Sequence, residues 1–233
     1  MVISLYCHHM DGKLPQVLIS YAQSLDGRIA VASGESQWIS GSETLTLAHE
    51  LRKAYDAILV GIGTVLRDNP ELSCRIPDCQ SPTRVILDAD LHLPVDCRIS
   101  ETADRYPTIV FTRSEALEQR SQTARQLRDR GIELVCVDCI EGKLSVQGIL
   151  EELASRKHGS VFVEGGSRVI TSFLAAGVVQ RLVVIIAPII IGEGIAAVSE
   201  LGIRSLADAI QWRTERVRTI GRDIVWELYR DEQ

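Results

Sequence analysis

The chain has no apolar run long enough to cross a membrane. Its longest, Leu182 to Ile191, is interrupted by Pro188, and a membrane helix needs about 20 residues. The N-terminus, MVISLYCHHMDGK, has neither a basic leader nor a long apolar stretch, so it does not read as a secretory signal. These two absences predict a cytoplasmic protein with no membrane partner. An excess of positive charge is also missing. Lys and Arg total 25 against 31 Asp and Glu, for a net charge of −6, which argues against a nucleic-acid or anionic-membrane surface. An anionic substrate stays possible, because a local arginine cluster can oppose the global sign.

Metal and thiol chemistry lack their usual patterns. The six cysteines, Cys7, Cys74, Cys79, Cys97, Cys136 and Cys139, are scattered along 233 residues. A chain of this length needs no covalent staples, so free thiols are the expectation. Cys136-Val-Asp-Cys139 is a C-x-x-C with no second such pair and no spaced histidines. It follows an expected strand at 132–137, whereas a redox C-x-x-C opens a helix, so it reads as structural. His8-His9 reads as a solvated pair. His49-Glu50 is followed by Lys53 and not by a second histidine, which excludes a metalloprotease helix. No H-x-E with a P-C-x-x-C partner is present, so zinc-dependent deamination is not expected on this chain. No bound metal is predicted. Repeats, low-complexity tracts and linker-like stretches are absent, and one domain over residues 1–233 is expected.

Against these absences stands Ser160 to Gly177, SVFVEGGSRVITSFLAAG. Val161-Phe162-Val163 reads as a buried strand ending at Glu164. Gly165-Gly166 breaks it, Ser167 is a possible helix cap, Val169, Ile170, Phe173 and Leu174 share one helical face, and Gly177 stops the helix. A strand, two glycines and a helix start suit an anion: backbone approaches closely and the first N–H groups point at it. A tight turn with no ligand is the equally ordinary reading.

Elsewhere, residues 16–22 read as a first strand, followed by the Asp26-Gly27 turn. Ser40-x-x-Glu43 fits a capping box opening a helix to about Tyr55. Residues 57–60 read as a second buried strand. Gly61-Ile62-Gly63-Thr64-Val65-Leu66 follows, a G-x-G-x-x-G without its last glycine; it is weak as a dinucleotide fingerprint and still a fair place for a pyrophosphate. Strands at 83–87, 107–111 and 132–137 come next. A helix from Thr112-Arg113-Ser114-Glu115 to about Arg130 and another at 145–155 lie among them. Strands at 182–191 and 224–228 close the chain, with Gly221-Arg222-Asp223 as a hairpin turn. The alternation predicts a three-layer α/β domain, its central sheet mostly parallel with antiparallel strands at one edge and helices on both faces. In a parallel sheet Ser20/Gln23, Gly61/Gly63/Thr64, Thr112/Arg113 and Glu164/Gly165/Gly166 all stand at strand ends, as a long ligand with phosphates requires. Arg113 with its neighbouring hydroxyls suits a 2′-phosphate, and Arg52 and Arg75 suit a second, phosphorylated ligand.

Read together, ISYAQSLDGRIA, SGESQWIS, HELRKAYDAILVGIGTVLRDNPELSCR, RVILDADLHLP, VFVEGGSRVITSFLAAGVV and APIIIGEG resemble the pyrimidine reductase of riboflavin biosynthesis. In many bacteria this is the C-terminal domain of a bifunctional deaminase-reductase. The resemblance runs from about Pro15 to Leu228 and leaves residues 1–14 as an N-terminal extension. It implies a dihydrofolate-reductase-like fold, NADPH as cofactor and a homodimer. The implied activity is reduction of the ribosyl group of a ribosylamino-pyrimidine 5′-phosphate to ribityl. It places Ser36, Arg52, Leu72, Arg75 and Glu164 at substrate-contacting positions. Ala22, Trp38, Thr64, Asp68 and the run Gly166, Ser167, Arg168, Val169, Ile170, Thr171 and Ser172 fall at cofactor-contacting positions. Asp68 and Glu164 are closest to catalysis. Two positions depart from the bacterial pattern: Ser20 stands where many bacterial members have Lys, as in fungal and archaeal forms that reduce before deamination, and Asn69 replaces a second Asp. The pyrimidine is thus either the deaminated uracil or its 2-amino precursor. A reductase of another pteridine or pyrimidine, and a non-enzymatic nucleotide-binding module, are the alternatives.

Overall fold

The computed structural model describes residues 14–37 and 39–230. In chain order the elements begin with β1 (Gln16–Ser24), β2 (Arg28–Val31), α1 (Ser42–Ala54), β3 (Ala57–Gly61), α2 (Ile62–Asp68), β4 (Thr83–Leu87) and α3 (Arg98–Glu101). They continue with β5 (Thr108–Thr112), α4 (Ser114–Gln119), α5 (Ser121–Asp129), β6 (Glu133–Cys136), β7 (Cys139–Ile140), β8 (Lys143–Leu144) and α6 (Val146–Ser155). The last are β9 (Ser160–Glu164), α7 (Ser167–Ala175), β10 (Arg181–Ala187), β11 (Gly194–Ala196), a 3-10 turn, β12 (Arg213–Ile220) and β13 (Asp223–Tyr229). These fall into two compact units, one containing His49–Phe162 and the other Val17–Ala48 with residues 163–230.

The first unit is built on β3, β4, β5 and β6, paired in that order and all parallel. The register sets Ala57 against Thr83, Arg84 against Thr108 and Ile109 against Glu133. Ile58, Leu59, Val60, Val85, Ile86, Val110 and Phe111 are fully buried. Such unbroken apolar runs are what a parallel strand needs when both faces are covered. Ile149, Leu150 and Leu153 of α6, and Ala124 and Leu127 of α5, add to this core.

In the second unit β1 pairs parallel with β10, which pairs antiparallel with β13, and β13 with β12. The β12–β13 hairpin turns on Gly221-Arg222, with Ile220 opposite Asp223, as the turn residues predict. The strands are mostly parallel with antiparallel additions, as expected. A short antiparallel pair, β2 with β11, was not foreseen. It requires Gly194, because a Cβ there would stand 2.4 Å from the carbonyl oxygen of Ala30.

Several local expectations are corrected. Helix α1 starts at Ser42, so Ser40 does not cap it; the Gly41 N–H bonds Asp223 Oδ2 at 2.7 Å and the Thr44 hydroxyl bonds the Gly41 carbonyl at 2.7 Å. The single helix expected to run to Arg130 is two, because Arg120 (φ −117, ψ 41) leaves the helical region. Strand β10 ends at Ala187, before Pro188, which has no N–H to extend a ladder. Ser167 is inside α7 and not its cap, a place taken by Gly166. The expectation of free thiols fails for one pair: Cys74 and Cys79 form a disulfide, their Cα atoms 6.5 Å apart. Cys97, Cys136 and Cys139 are free.

Candidate active site

The first unit carries one set of predicted residues. Strand β3 is apolar until Gly61, which adopts extended geometry (φ −83, ψ 156) and starts α2 without a side-chain cap. Nothing lies within 4 Å of where a Cβ on Gly63 would point, so packing does not demand that glycine. Thr64 and Asp68 are half-buried. Asp68 is the last residue of α2, and burial pushes its carboxyl above the ordinary value while Arg67 pulls the other way. A carboxylate at a helix C-terminus also opposes the helix dipole. Asn69 closes the helix in the left-handed region (φ 40, ψ 53), returning its N–H to Val65. Its Oδ1 accepts the Arg98 N–H at 2.9 Å.

The loop from Asn69 to Arg75 is pinned at almost every residue. The Ser73 hydroxyl donates to Glu71 Oε1 at 2.6 Å, and Arg52 Nη1 donates to the Ser73 carbonyl at 3.2 Å. The Cys74 N–H reaches Ser81 Oγ at 3.0 Å and the Arg75 N–H reaches His49 Nδ1 at 3.2 Å. Both predicted phosphate-binding arginines are therefore tied to this one loop, Arg75 as part of it and exposed, Arg52 half-buried on α1. Leu72 is 3% exposed and its φ is +58. Its side chain belongs to the core, and it shapes the loop.

Arg113 precedes α4 and is engaged by a carboxylate, its Nε and Nη2 lying 2.9 and 2.7 Å from Asp90 Oδ1. It lines a cleft of about 340 Å³ with Ala89, Asp90, Glu115, Cys139 and Gly142. The Thr112 hydroxyl, expected to help there, is buried and donates to the Ala89 carbonyl. Burial raises the Cys136 thiol, which disfavours a reactive thiolate. No group of three or more metal-ligating side chains occurs among the described residues.

The second unit carries the other set. Glu164 is half-buried at the end of β9. Gly165 and Gly166 follow with φ of +87 and +88, a conformation that glycine adopts without strain. Nothing lies within 4 Å of a Cβ placed on Gly165. Helix α7 then begins, and its first N–H groups have no partner within the helix. The predicted cofactor run divides by burial: Val169, Ile170 and Thr171 are 8%, 0% and 9% exposed, whereas Gly166, Ser167 and Ser172 are half-buried and Arg168 is exposed. Thr171 receives the Ser199 N–H at 2.9 Å, and the Ser167 and Ser199 hydroxyls are 3.0 Å apart. Ala22 is half-buried on β1 opposite Ile185, and Ser36 is half-buried in the loop before α1. Trp38 lies outside the described residues.

Sequence reasoning missed three polar residues that anchor loops, one of them the loop at 69–75. Arg84, fully buried, reaches the loop through the Glu71 carbonyl; a charge within the expected strand 83–87, directly before the apolar run Val85-Ile86-Leu87, was the available signal. Asp26 receives N–H bonds from Ile191 and Gly192 and a hydroxyl bond from Ser24. These bonds hold its carboxyl down to about 2, the Ser24 hydroxyl contributing most. Asp88, fully buried, accepts the Leu93 N–H at 2.8 Å, and burial raises its carboxyl.

Residues 15–226 match the RibD C-terminal domain. The chain belongs to this family. It is 37% identical over 212 residues to riboflavin biosynthesis protein RibD of Aquifex aeolicus, covering 91% of this chain and 56% of that protein. The family member described here thus spans little more than half the length of such RibD proteins. It is 36% identical over 218 residues to the 2,5-diamino-6-ribosylamino-4(3H)-pyrimidinone 5′-phosphate reductase of Methanothermobacter thermautotrophicus, covering 91% of this chain and 97% of that one. A crystal structure of a deaminase and 5-amino-6-(5-phosphoribosylamino)uracil reductase from Thermotoga maritima superposes with a TM-score of 0.76 at 32% identity, over 93% of this chain and 56% of that one. Dihydrofolate reductase from Enterococcus faecalis, in complex with NADP(H), superposes at 0.55 and 15% identity over 93% and 97% of the two chains. The fold is thereby dihydrofolate-reductase-like.

Proposed function

We propose that this chain reduces the ribosyl group of a ribosylamino-pyrimidine 5′-phosphate to ribityl, using NADPH, in riboflavin biosynthesis. The observation that carries the reading is the match to the archaeal reductase, which spans 97% of that protein. The glycine turns are what such a cofactor needs: two successive left-handed glycines and the start of α7 offer backbone N–H groups to phosphate. When bound, NADPH supplies the hydride; the protein supplies position and electrostatics.

The chain's own residues then divide the work. Glu164, at the end of β9, accepts hydrogen bonds from the pyrimidine edge and sets the sugar carbon in place. Arg52 and Arg75, tied to one pinned loop, take the 5′-phosphate. Ser36 adds a substrate contact and Leu72 holds the loop between them. Asp68, with its carboxyl raised by burial, is suited to hold a proton near the reacting sugar. Cofactor contacts are assigned to Ala22, Trp38, Gly61, Gly63, Thr64 and the run Gly165–Ser172, the buried residues of that run acting through backbone. Arg113 takes the 2′-phosphate that distinguishes NADPH from NADH. The whole chain acts as one reductase domain, as a cytoplasmic homodimer.

NADPH oxidation by purified protein, assayed with 5-amino-6-(5-phosphoribosylamino)uracil and with its 2,5-diamino precursor, tests the proposal. Turnover of one of them supports it and names the pyrimidine. Turnover of neither, with NADPH bound, refutes it.

A further inference from the structure

Arg84 is a guanidinium placed where an aliphatic residue would be expected. It sits in β4, between β3 and β5, and is fully buried. Burial lowers it to about 10, so it stays charged at neutral pH. Its hydrogen bonds go to carbonyls and hydroxyls. Nε donates to Thr108 Oγ1 at 3.0 Å. Nη1 donates to Thr102 Oγ1 at 2.8 Å and to the Glu71 carbonyl at 3.1 Å. Nη2 donates to the carbonyls of Ile99 and Tyr106 at 2.9 and 3.2 Å, and to Thr108 Oγ1 at 2.6 Å. The Tyr106 ring lies 5.3 Å from its Cζ. A well-packed apolar side chain can replace a buried ionic group without loss of stability, so stability alone does not explain an arginine here.

What the arginine does that an aliphatic residue cannot is grip the Glu71 carbonyl. That oxygen belongs to the peptide plane joining Glu71 to Leu72. Leu72 has φ +58, a left-handed conformation that a branched side chain holds only when its surroundings over-determine it. Fixing the preceding peptide plane holds one side of that torsion, while the bonds at Ser73 hold the chain beyond it, and together they set the direction in which the chain leaves toward Arg75. The other ties on the loop come from α1, from the chain around Arg98 and from Ser81. Arg84 is the tie that comes from a fully buried position on a central strand of the parallel set β3–β6.

We propose that Arg84 is a positioning residue for substrate binding: through the Glu71 carbonyl it holds Leu72 in its left-handed conformation and so presents Arg75 to the substrate phosphate. This rests on the function proposed above. Two substitutions test it in the full chain. Arg84→Lys keeps the charge and loses the fork, and Thr102→Val keeps shape and removes one acceptor of Nη1. Hydrogen exchange of residues 69–75, NADPH Kd and substrate KM are measured for each, beside the thermal unfolding midpoint. The expected result is exchange at least about ten-fold faster in residues 69–75 while β3 and β5 stay protected. Substrate KM should rise about ten-fold in Arg84→Lys and less in Thr102→Val, with NADPH Kd within two-fold of wild type. Exchange that rises equally in the strands, or an unchanged KM beside a loosened loop, would overturn the proposal. Should Arg84→Lys fail to fold, Thr102→Val decides by the same criteria. Should the wild type reduce neither pyrimidine, the functional reading falls, and exchange confined to residues 69–75 still decides whether Arg84 holds the loop.

Discussion

Arg113 offers the sharpest test of cofactor choice, because the structure shows what a phosphate would have to displace. Its guanidinium lies 2.7 Å from Asp90 with the two side chains 33% and 51% exposed, and an ion pair that open to water is worth about 0.2–1 kcal/mol. A charge-assisted contact to a phosphate is worth roughly 1.5–3 kcal/mol. Exchanging one for the other leaves about 1–2 kcal/mol in favour of the phosphate, or roughly five- to thirty-fold in affinity. Arg113→Ala should therefore weaken NADPH by that factor and leave NADH within two-fold. Asp90→Asn should act in the opposite sense, since it removes a carboxylate that competes for the same guanidinium. NADPH should tighten by up to about five-fold and NADH should not change. Kd for both cofactors by fluorescence titration, at two salt concentrations, reads the result. Equal losses of NADPH and NADH in Arg113→Ala, or weaker NADPH binding in Asp90→Asn, would refute the reasoning and move the 2′-phosphate elsewhere.

Four further outcomes are expected. Glu164→Gln should lower kcat/KM at least ten-fold with NADPH affinity little changed, since an unpaired polar partner costs about 1–3 kcal/mol; wild-type rates in the folded variant would return Glu164 to an ordinary strand end. Arg75→Ala should raise substrate KM about ten- to a hundred-fold by loss of one charge-assisted contact, and dephosphorylated substrate turned over as well as the ester would contradict it. Asp68 has a raised carboxyl, so the stability it contributes is present below the ordinary carboxylate range and is lost as pH rises through the raised value; Asp68→Asn should unfold at higher temperature than wild type at pH 7, equally at pH 3, and be slower in turnover. Thiol titration in denaturant should gain two thiols on reduction, those of Cys74 and Cys79, and Cys136→Ser with Cys139→Ser should leave turnover within a few-fold.

The elements that sequence determined are those whose cause is local. β3 and β9 follow from short runs of β-branched and apolar residues that must be buried. The β12–β13 turn follows from Gly221-Arg222, and α6 from Ser145, whose hydroxyl accepts the Gly148 N–H at 3.1 Å. The glycine turn after β9 was legible because left-handed torsion needs glycine at Gly165 and Gly166. Much of the candidate site, including Arg75, Glu164 and Asp68, was legible as residue types at strand ends and loops. Its burial was not: Leu72, Val169, Ile170 and Thr171 matched ligand positions, and the folded chain turns them inward.

Tertiary structure decided everything whose partner lies far along the chain. The start of α1 is capped by Asp223, 182 residues away from Gly41, and the local capping box at Ser40 lost to it. Arg113 is expected from its position to bind a phosphate, and the partner the fold gives it is Asp90, 23 residues away. Arg84 carried no reading in the sequence; its meaning comes from acceptors that the fold gathers around it from Glu71, Ile99, Thr102, Tyr106 and Thr108. Torsional preference and hydrophobic period act over a few residues, so they are written where they act. A hydrogen bond between distant segments exists only once the sheet has set those segments side by side, and no local pattern records it.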